Sequence, residues 1–187
     1  MKIFQKFFNQ NLLEKVEQYV IENRSLPSWY TNTSWSEGLM NYSGQVAILP
    51  LEKFSDEFKE VFVNYDNKFE DYEFYPQYCE WHRGSYISWH NDSEYKIGST
   101  LYLNKTWHPE QGGIFLYAYD NNYEDIRCVV PKYNTFVIND ENEWHHVTVL
   151  NYHSPEIRKT IQIWGNNTPE WIEQMKINKK YQKVQIR

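Results

Sequence analysis

Gly84-Ser85-Tyr86-Ile87-Ser88-Trp89-His90-Asn91-Asp92 is the stretch on which the fold turns. It alternates along a short run and ends with an imidazole and a carboxylate two residues apart. On an extended strand, residues i and i+2 point to the same face, so His90 and Asp92 can reach one ion together. Far downstream, His145 sits in another strand-like run and offers a third ligand. Arg158 opens a further alternating run and brings a guanidinium suited to a carboxylate. Two imidazoles, one carboxylate and open coordination positions are the donor set of an O2-activating non-haem Fe(II) site.

Working outward, the same pattern of short runs recurs over Ser99–Asn104, Ile114–Tyr119, Thr135–Ile138, His145–Leu150 and Arg158–Trp164. Turn signals separate them: Gln111-Gly112-Gly113, Asp120-Asn121-Asn122, Pro131-Lys132-Tyr133-Asn134 and Asn139-Asp140-Glu141-Asn142. Many short strands with turns between them predict a sandwich or jelly roll. Ahead of them, Leu12, Leu13, Val16, Tyr19 and Val20 follow helical spacing, closed by Ser25-Leu26-Pro27. Leu51, Phe54, Phe58, Val61 and Tyr65 step by three and four and predict a second amphipathic helix. The stretch from Trp29 to Gly44 has no clear period and reads as a loop, a candidate lid whose aromatic residues up to Tyr42 bear on substrate choice. The chain is expected to be a single domain over 1–187, with helical and irregular support over about 1–73, a β core over about 74–170 and a basic tail over about 171–187.

At 187 residues the chain is long enough for a real core. Its mean hydropathy of −0.80 and the absence of a long apolar run predict no transmembrane helix. The start, Met1 to Asn11, lacks the apolar stretch of a signal peptide, so a cytoplasmic location is expected. Cys79 and Cys128 have no metal-ligand spacing and are expected to be ordinary thiols. A net charge of −6 argues against nucleic acid as partner. The lysines from Lys176 to Lys183, with Arg187, read as a solvated tail. The 18% of aromatic residues is expected mostly in the core.

The segment from Gly84 to Trp164 resembles the Fe(II)/2-oxoglutarate-dependent dioxygenases, especially their prolyl 4-hydroxylase-like branch. His90-Asn91-Asp92 looks like the family's His-x-Asp. Leu101-Tyr102-Leu103-Asn104-Lys105-Thr106-Trp107 with Gly112-Gly113 is similar to its Tyr-Leu-Asn…Trp…Gly-Gly block. Trp144-His145-His146-Val147-Thr148-Val149 resembles its distal histidine segment, with Val149 where proline is usual. Arg158-Lys159-Thr160-Ile161-Gln162-Ile163-Trp164 looks like the strand that carries the co-substrate's basic residue. Residues 151–155 lengthen the hairpin before it, which loop entropy tolerates.

The resemblance implies a mainly β protein with N-terminal helices and a double-stranded β-helix (jelly-roll, cupin-like) core. It implies Fe(II), 2-oxoglutarate and O2, with ascorbate as a reductant, and decarboxylation of 2-oxoglutarate to succinate coupled to hydroxylation of a C–H bond. The iron ligands implied are His90, Asp92 and His145. His146, adjacent on a strand and so facing the other way, is the alternative to His145. Arg158 and Tyr102 are implied as holders of the co-substrate's far carboxylate, with Thr160 supporting from the same strand face. Lys159 is the alternative cation, but it alternates with Ile161 and Ile163 rather than with the polar positions. His82, His108 and His153 have no matched context and read as structural or surface residues, as do the packing residues Trp107 and Trp164, the latter possible at a pocket edge. Lys96 stands where relatives carry an arginine, without an assigned role. The substrate expected is a prolyl residue of a peptide or protein. The alternatives are a free amino acid, another small metabolite or an alkylated nucleobase. Outside the enzyme class stand a non-catalytic jelly-roll metal-binding or sensing protein and a structural β-sandwich. The sequence does not set the oligomeric state.

Overall fold

The computed structural model describes residues 1–25, 29–31, 45–93, 95–118, 123–140 and 143–174. The candidate lid, apart from residues 29–31, and the basic tail beyond 174 lie outside the described residues.

Two antiparallel sheets face each other. The larger contains β1 (Lys2–Gln5), β2 (Tyr30–Thr31), β3 (Val46–Pro50), β4 (Glu73–Trp81), β6 (Ile97–Tyr102), β9 (Thr135–Asp140) and β11 (Arg158–Asn166), in the order β1-β9-β6-β11-β4-β3-β2. The smaller contains β5 (Ile87–His90), β7 (Phe115–Ala118), β8 (Ile126–Val129) and β10 (Trp144–Val147), in the order β5-β10-β7-β8. Consecutive strands alternate between sheets from β4 to β7 and again from β9 to β11, the winding of a double-stranded β-helix. The jelly-roll core expected from the sequence is therefore the fold observed.

Strand alternation divides the larger sheet into two apolar faces. Leu49, Tyr78, Leu101, Phe136, Ile161 and Ile163 face outward and are covered by helices. The first helix, α1 (Gln10–Glu22), starts at Asn9, whose side chain accepts from the Leu12 amide at 2.8 Å. It buries Leu12, Leu13, Val16 and Val20. The second, α2 (Ser55–Tyr65), carries Asp56 and Glu57 in its first turn, where the helix dipole favours negative charge, and buries Phe58 and Phe62. Both predicted helices are thus present, the second preceded by one 3-10 turn over Glu52–Phe54. No helix among the described residues is long and apolar enough to cross a membrane.

Val46, Ile48, Cys79, Trp81 and Val137 face inward, against Ile87, Phe115, Tyr117, Val129 and Val147 of the smaller sheet. Into this inner layer β11 projects Arg158, Thr160, Gln162 and Trp164, because Thr160 pairs with Tyr102 and Cys79, and Gln162 with Thr100 and Gln77. The site occupies this layer.

The sequence reading placed no strand over Glu73–Trp81. Proline in a run ordinarily signals an edge, yet Pro76 lies inside β4, between β3 and β11. That strand is buried on both faces from Phe74 to Trp81 and shows no alternation to detect. Asn139 and Asp140, read as a turn, close β9 instead.

Candidate active site

Strand β5 ends on His90, and Asp92 follows in the loop beyond, whose backbone carbonyl accepts from the Tyr95 amide at 2.8 Å. Across the smaller sheet, His145 on β10 pairs in register with His90. The imidazole centroids stand 4.2 Å apart. Asp92 reaches both rings, with Oδ1 3.8 Å from His90 Nε2 and Oδ2 3.6 Å from His145 Nε2. One ligand atom from each of the three residues falls within 4.8 Å of the others.

The tautomers are set by backbone. His90 Nδ1 lies 2.8 Å from the Ser88 carbonyl and His145 Nδ1 3.0 Å from the Glu143 carbonyl. A carbonyl only accepts, so each neutral ring carries its proton on Nδ1 and turns an unprotonated Nε2 towards Asp92. Burial holds both imidazoles below the usual histidine range. The neighbouring His145 lowers His90 further, while Asp92 opposes the shift in each. Neutral rings are the form that binds metal. Phe115 stacks on His145 at 5.3 Å and fixes its plane.

His146 points to the other face of the sheet, where it stacks on Trp89 at 5.5 Å. Strand alternation thus brings His145, not His146, beside Asp92. The remaining histidines stay outside: His82 and His153 are exposed, and His108 caps the 3-10 turn Pro109–Gln111.

A glycine makes room for the carboxylate. A Cβ built at Gly98 on β6 would collide with Asp92 Oδ2. Together the three residues line a cavity of about 70 Å3, bounded also by Trp81, Thr100, Asn139, Gln162 and Trp164. Trp164, for which the sequence left packing and the pocket edge open, lines it. Lys96 is exposed and lines a different surface hollow with Lys2, Tyr65 and Phe69.

At the other end of the inner layer lies Arg158, with 0% exposure. Its guanidinium is stacked 4.9 Å over the Trp81 ring and 5.3 Å over that of Tyr102. Among the described residues, none of Nε, Nη1 and Nη2 has a hydrogen-bond partner, and the buried Tyr102 hydroxyl has none either. Burial pushes that phenol up to about 12 against the opposing pull of Arg158, so it is a neutral hydroxyl ready to donate. Thr160 is already engaged, accepting from Trp81 Nε1 at 2.9 Å, which locks the indole under the guanidinium. Lys159 lies on the opposite face and lines a hollow beside α1. Gly113, at φ +62°, completes the pocket: an added Cβ would lie 2.8 Å from Arg158 Cδ. The chain's own described residues leave a buried cation and a buried hydroxyl unmet, a set that a carboxylate would satisfy.

The fold and this donor set define a jelly-roll protein with a two-histidine, one-carboxylate centre. The profile of the 2OG-Fe(II) oxygenase superfamily matches residues 68–166, more than half of the chain, and the chain belongs to that family. It is a 2OG-Fe(II) oxygenase, in a family that uses Fe(II), 2-oxoglutarate and O2. Among solved structures it is similar to a prolyl-4-hydroxylase from Pseudomonas putida, at 13% identity and a TM-score of 0.66 over 89% of this chain and 92% of that one. It is also similar to a Trichoplax adhaerens prolyl hydroxylase in complex with a hypoxia inducible factor peptide fragment, at 14% identity and a TM-score of 0.67 over 89% and 83%. The 2-oxoglutarate-dependent epimerase SnoN of nogalamycin biosynthesis shares the fold at 6% identity and a TM-score of 0.61, over 88% and 76%. No curated protein matches in sequence.

Proposed function

We propose that the chain hydroxylates a prolyl residue of a peptide or protein, using His90, Asp92 and His145 to hold Fe(II) and Arg158 and Tyr102 to hold 2-oxoglutarate, with Thr160 in support through Trp81. When bound, the metal, co-substrate and O2 supply the oxidising chemistry: 2-oxoglutarate loses CO2 to give succinate, and one oxygen atom enters a substrate C–H bond. The observation that carries the reading is the pairing of two unmet demands in one inner layer. A clustered ligand set lies at one end, and a fully buried guanidinium without a hydrogen-bond partner among the described residues lies at the other.

The protein's share of the work is positioning. His90 and His145 present fixed Nε2 lone pairs, and Asp92 contributes the single negative charge. Arg158 offers parallel donors to the distal carboxylate, Tyr102 adds a hydroxyl, and Thr160 keeps Trp81 in place beneath them. Trp81 and Trp164 border the cavity and limit water beside the reacting atoms. Support for a prolyl substrate comes from the fold neighbours, two of which are prolyl hydroxylases, one solved with a peptide.

The test is succinate release from 2-oxoglutarate after mixing anaerobic Fe(II)-protein with air, with and without proline-rich peptides. Peptide-stimulated release is expected. Release that peptides leave unchanged would keep the oxygenase and replace the prolyl substrate by a small molecule.

A further inference from the structure

One polar group in the cavity is used by nothing described so far. Asn139 is the penultimate residue of β9 and is 2% exposed, and its Oδ1 is buried without a hydrogen-bond partner among the described residues. It lines the same cavity as His90, Asp92 and His145. Buried amide groups are almost always hydrogen-bonded, so an unmet one beside a ligand cluster calls for a partner from outside. Gln162 lines that cavity too. Its Oε1 already accepts from Thr100 Oγ1 at 2.9 Å, which leaves its NH2 group as the free end.

Register brings these amides to either side of one strand. Asn139 on β9 pairs with Gly98 of β6, and Gln162 on β11 pairs with Thr100 of β6. Two strand spacings across and two residues along, roughly 12 Å in all, separate their backbones. The Asp92 carboxylate fills the space over Gly98, and both amides line the cavity beside it. One offers an acceptor and the other a donor. 2-Oxoglutarate at neutral pH has acceptors only and cannot satisfy Asn139 Oδ1. A secondary amide satisfies both groups, with N–H to Asn139 and C=O to Gln162.

We propose that Asn139 and Gln162 grip a peptide bond of the substrate, the one following the prolyl residue, and so select peptides over free amino acids. A prolyl nitrogen inside a chain has no hydrogen to give, so the donor must come from the next residue. This assignment rests on the prolyl reading above.

The test uses two capped prolyl peptides identical except at the bond after proline, which is an amide in one and an ester in the other. The ester removes the N–H at almost constant shape. Succinate release gives kcat and KM, and anaerobic calorimetry with the Fe(II)-protein gives affinity apart from turnover. The amide is expected to lead by about tenfold or more in both kcat/KM and affinity, as a buried acceptor left unmet is costly. Asn139→Leu is expected to erase that lead, mainly through KM. Gln162→Met, which removes the donor together with the acceptor that Thr100 Oγ1 uses, should weaken amide and ester alike and guards against a folding defect in the first variant. Equal handling of amide and ester by the wild type, with both turned over, would overturn the grip and leave the prolyl reading standing. An undiminished lead in Asn139→Leu, or a loss of Fe(II) affinity there with the lead intact, would also overturn it. Neither turnover nor binding of either peptide would overturn the prolyl reading and this proposal together.

Discussion

Arg158 is the residue on which most depends. A guanidinium stays charged in almost any setting, and burial without a counter-charge is expensive. Burial lowers its affinity for a proton, but Tyr102 and Cys79 oppose that shift. Arg158→Met keeps much of the volume and removes the unmet charge. The ligand-free variant is therefore expected to be more stable than wild type by about 1–4 kcal/mol, read as a higher midpoint in urea unfolding. 2-Oxoglutarate should raise the melting temperature of the wild type and not of the variant. A destabilised variant would mean that the guanidinium has a partner within the protein. The two adjacent histidines give a second test. His145→Ala is expected to lose Fe(II) binding, whereas His146→Ala, which loses its stacking on Trp89 on the other face, should keep it; isothermal titration with Fe(II) under nitrogen separates them. The reverse outcome would move the ligand to the other face of β10.

At the scale of elements, β6 shows how a strand serves a site without contributing a ligand. Its Gly98 leaves the space that the Asp92 carboxylate fills. Gly98→Ala places a methyl group in that space, in a strand where alanine is otherwise tolerated. Metal affinity is expected to fall at least about tenfold, a loss of about 1.4 kcal/mol, with the circular dichroism spectrum unchanged. Unchanged affinity would show that the carboxylate can move aside freely. This strand also shows what a sequence reveals. His90 and Asp92 were legible because their spacing and the run before them fit one face of a strand, and Arg158 because it keeps step with Thr160, Gln162 and Trp164. Strand β4 was not, since burial on both faces removes the alternation and Pro76 mimics a break. Asn139 was hidden for a related reason: followed by Asp140 and Glu141, it looks like a turn, and only pairing with Gly98 turns its amide inward. Gly98 carries no signal, and Gly113 signals a turn and a family block but not its packing on Arg158, because the need for a missing Cβ arises only from residues distant in sequence.

For the whole molecule, stability and chemistry are assigned to different faces of the larger sheet. The outer face, under α1 and α2, is apolar and closely packed, with Phe62 stacked on Phe74 at 4.4 Å. Such packing compensates for the unmet polar groups that the inner face holds. Between the sheets, the ligand cluster and the guanidinium form two ends of one binding layer, and the central claim is that a single five-carbon diacid spans them. The most direct test is anaerobic calorimetry of 2-oxoglutarate and of pyruvate with the Fe(II)-loaded wild type and Arg158→Met. Pyruvate has the same 2-oxo acid end and lacks the distal carboxylate. The account predicts that the wild type prefers 2-oxoglutarate by about a hundredfold or more, given the worth of a buried charge-assisted pair, and that the variant does not discriminate. Equal affinities in the wild type, or a preference that survives in the variant, would contradict it.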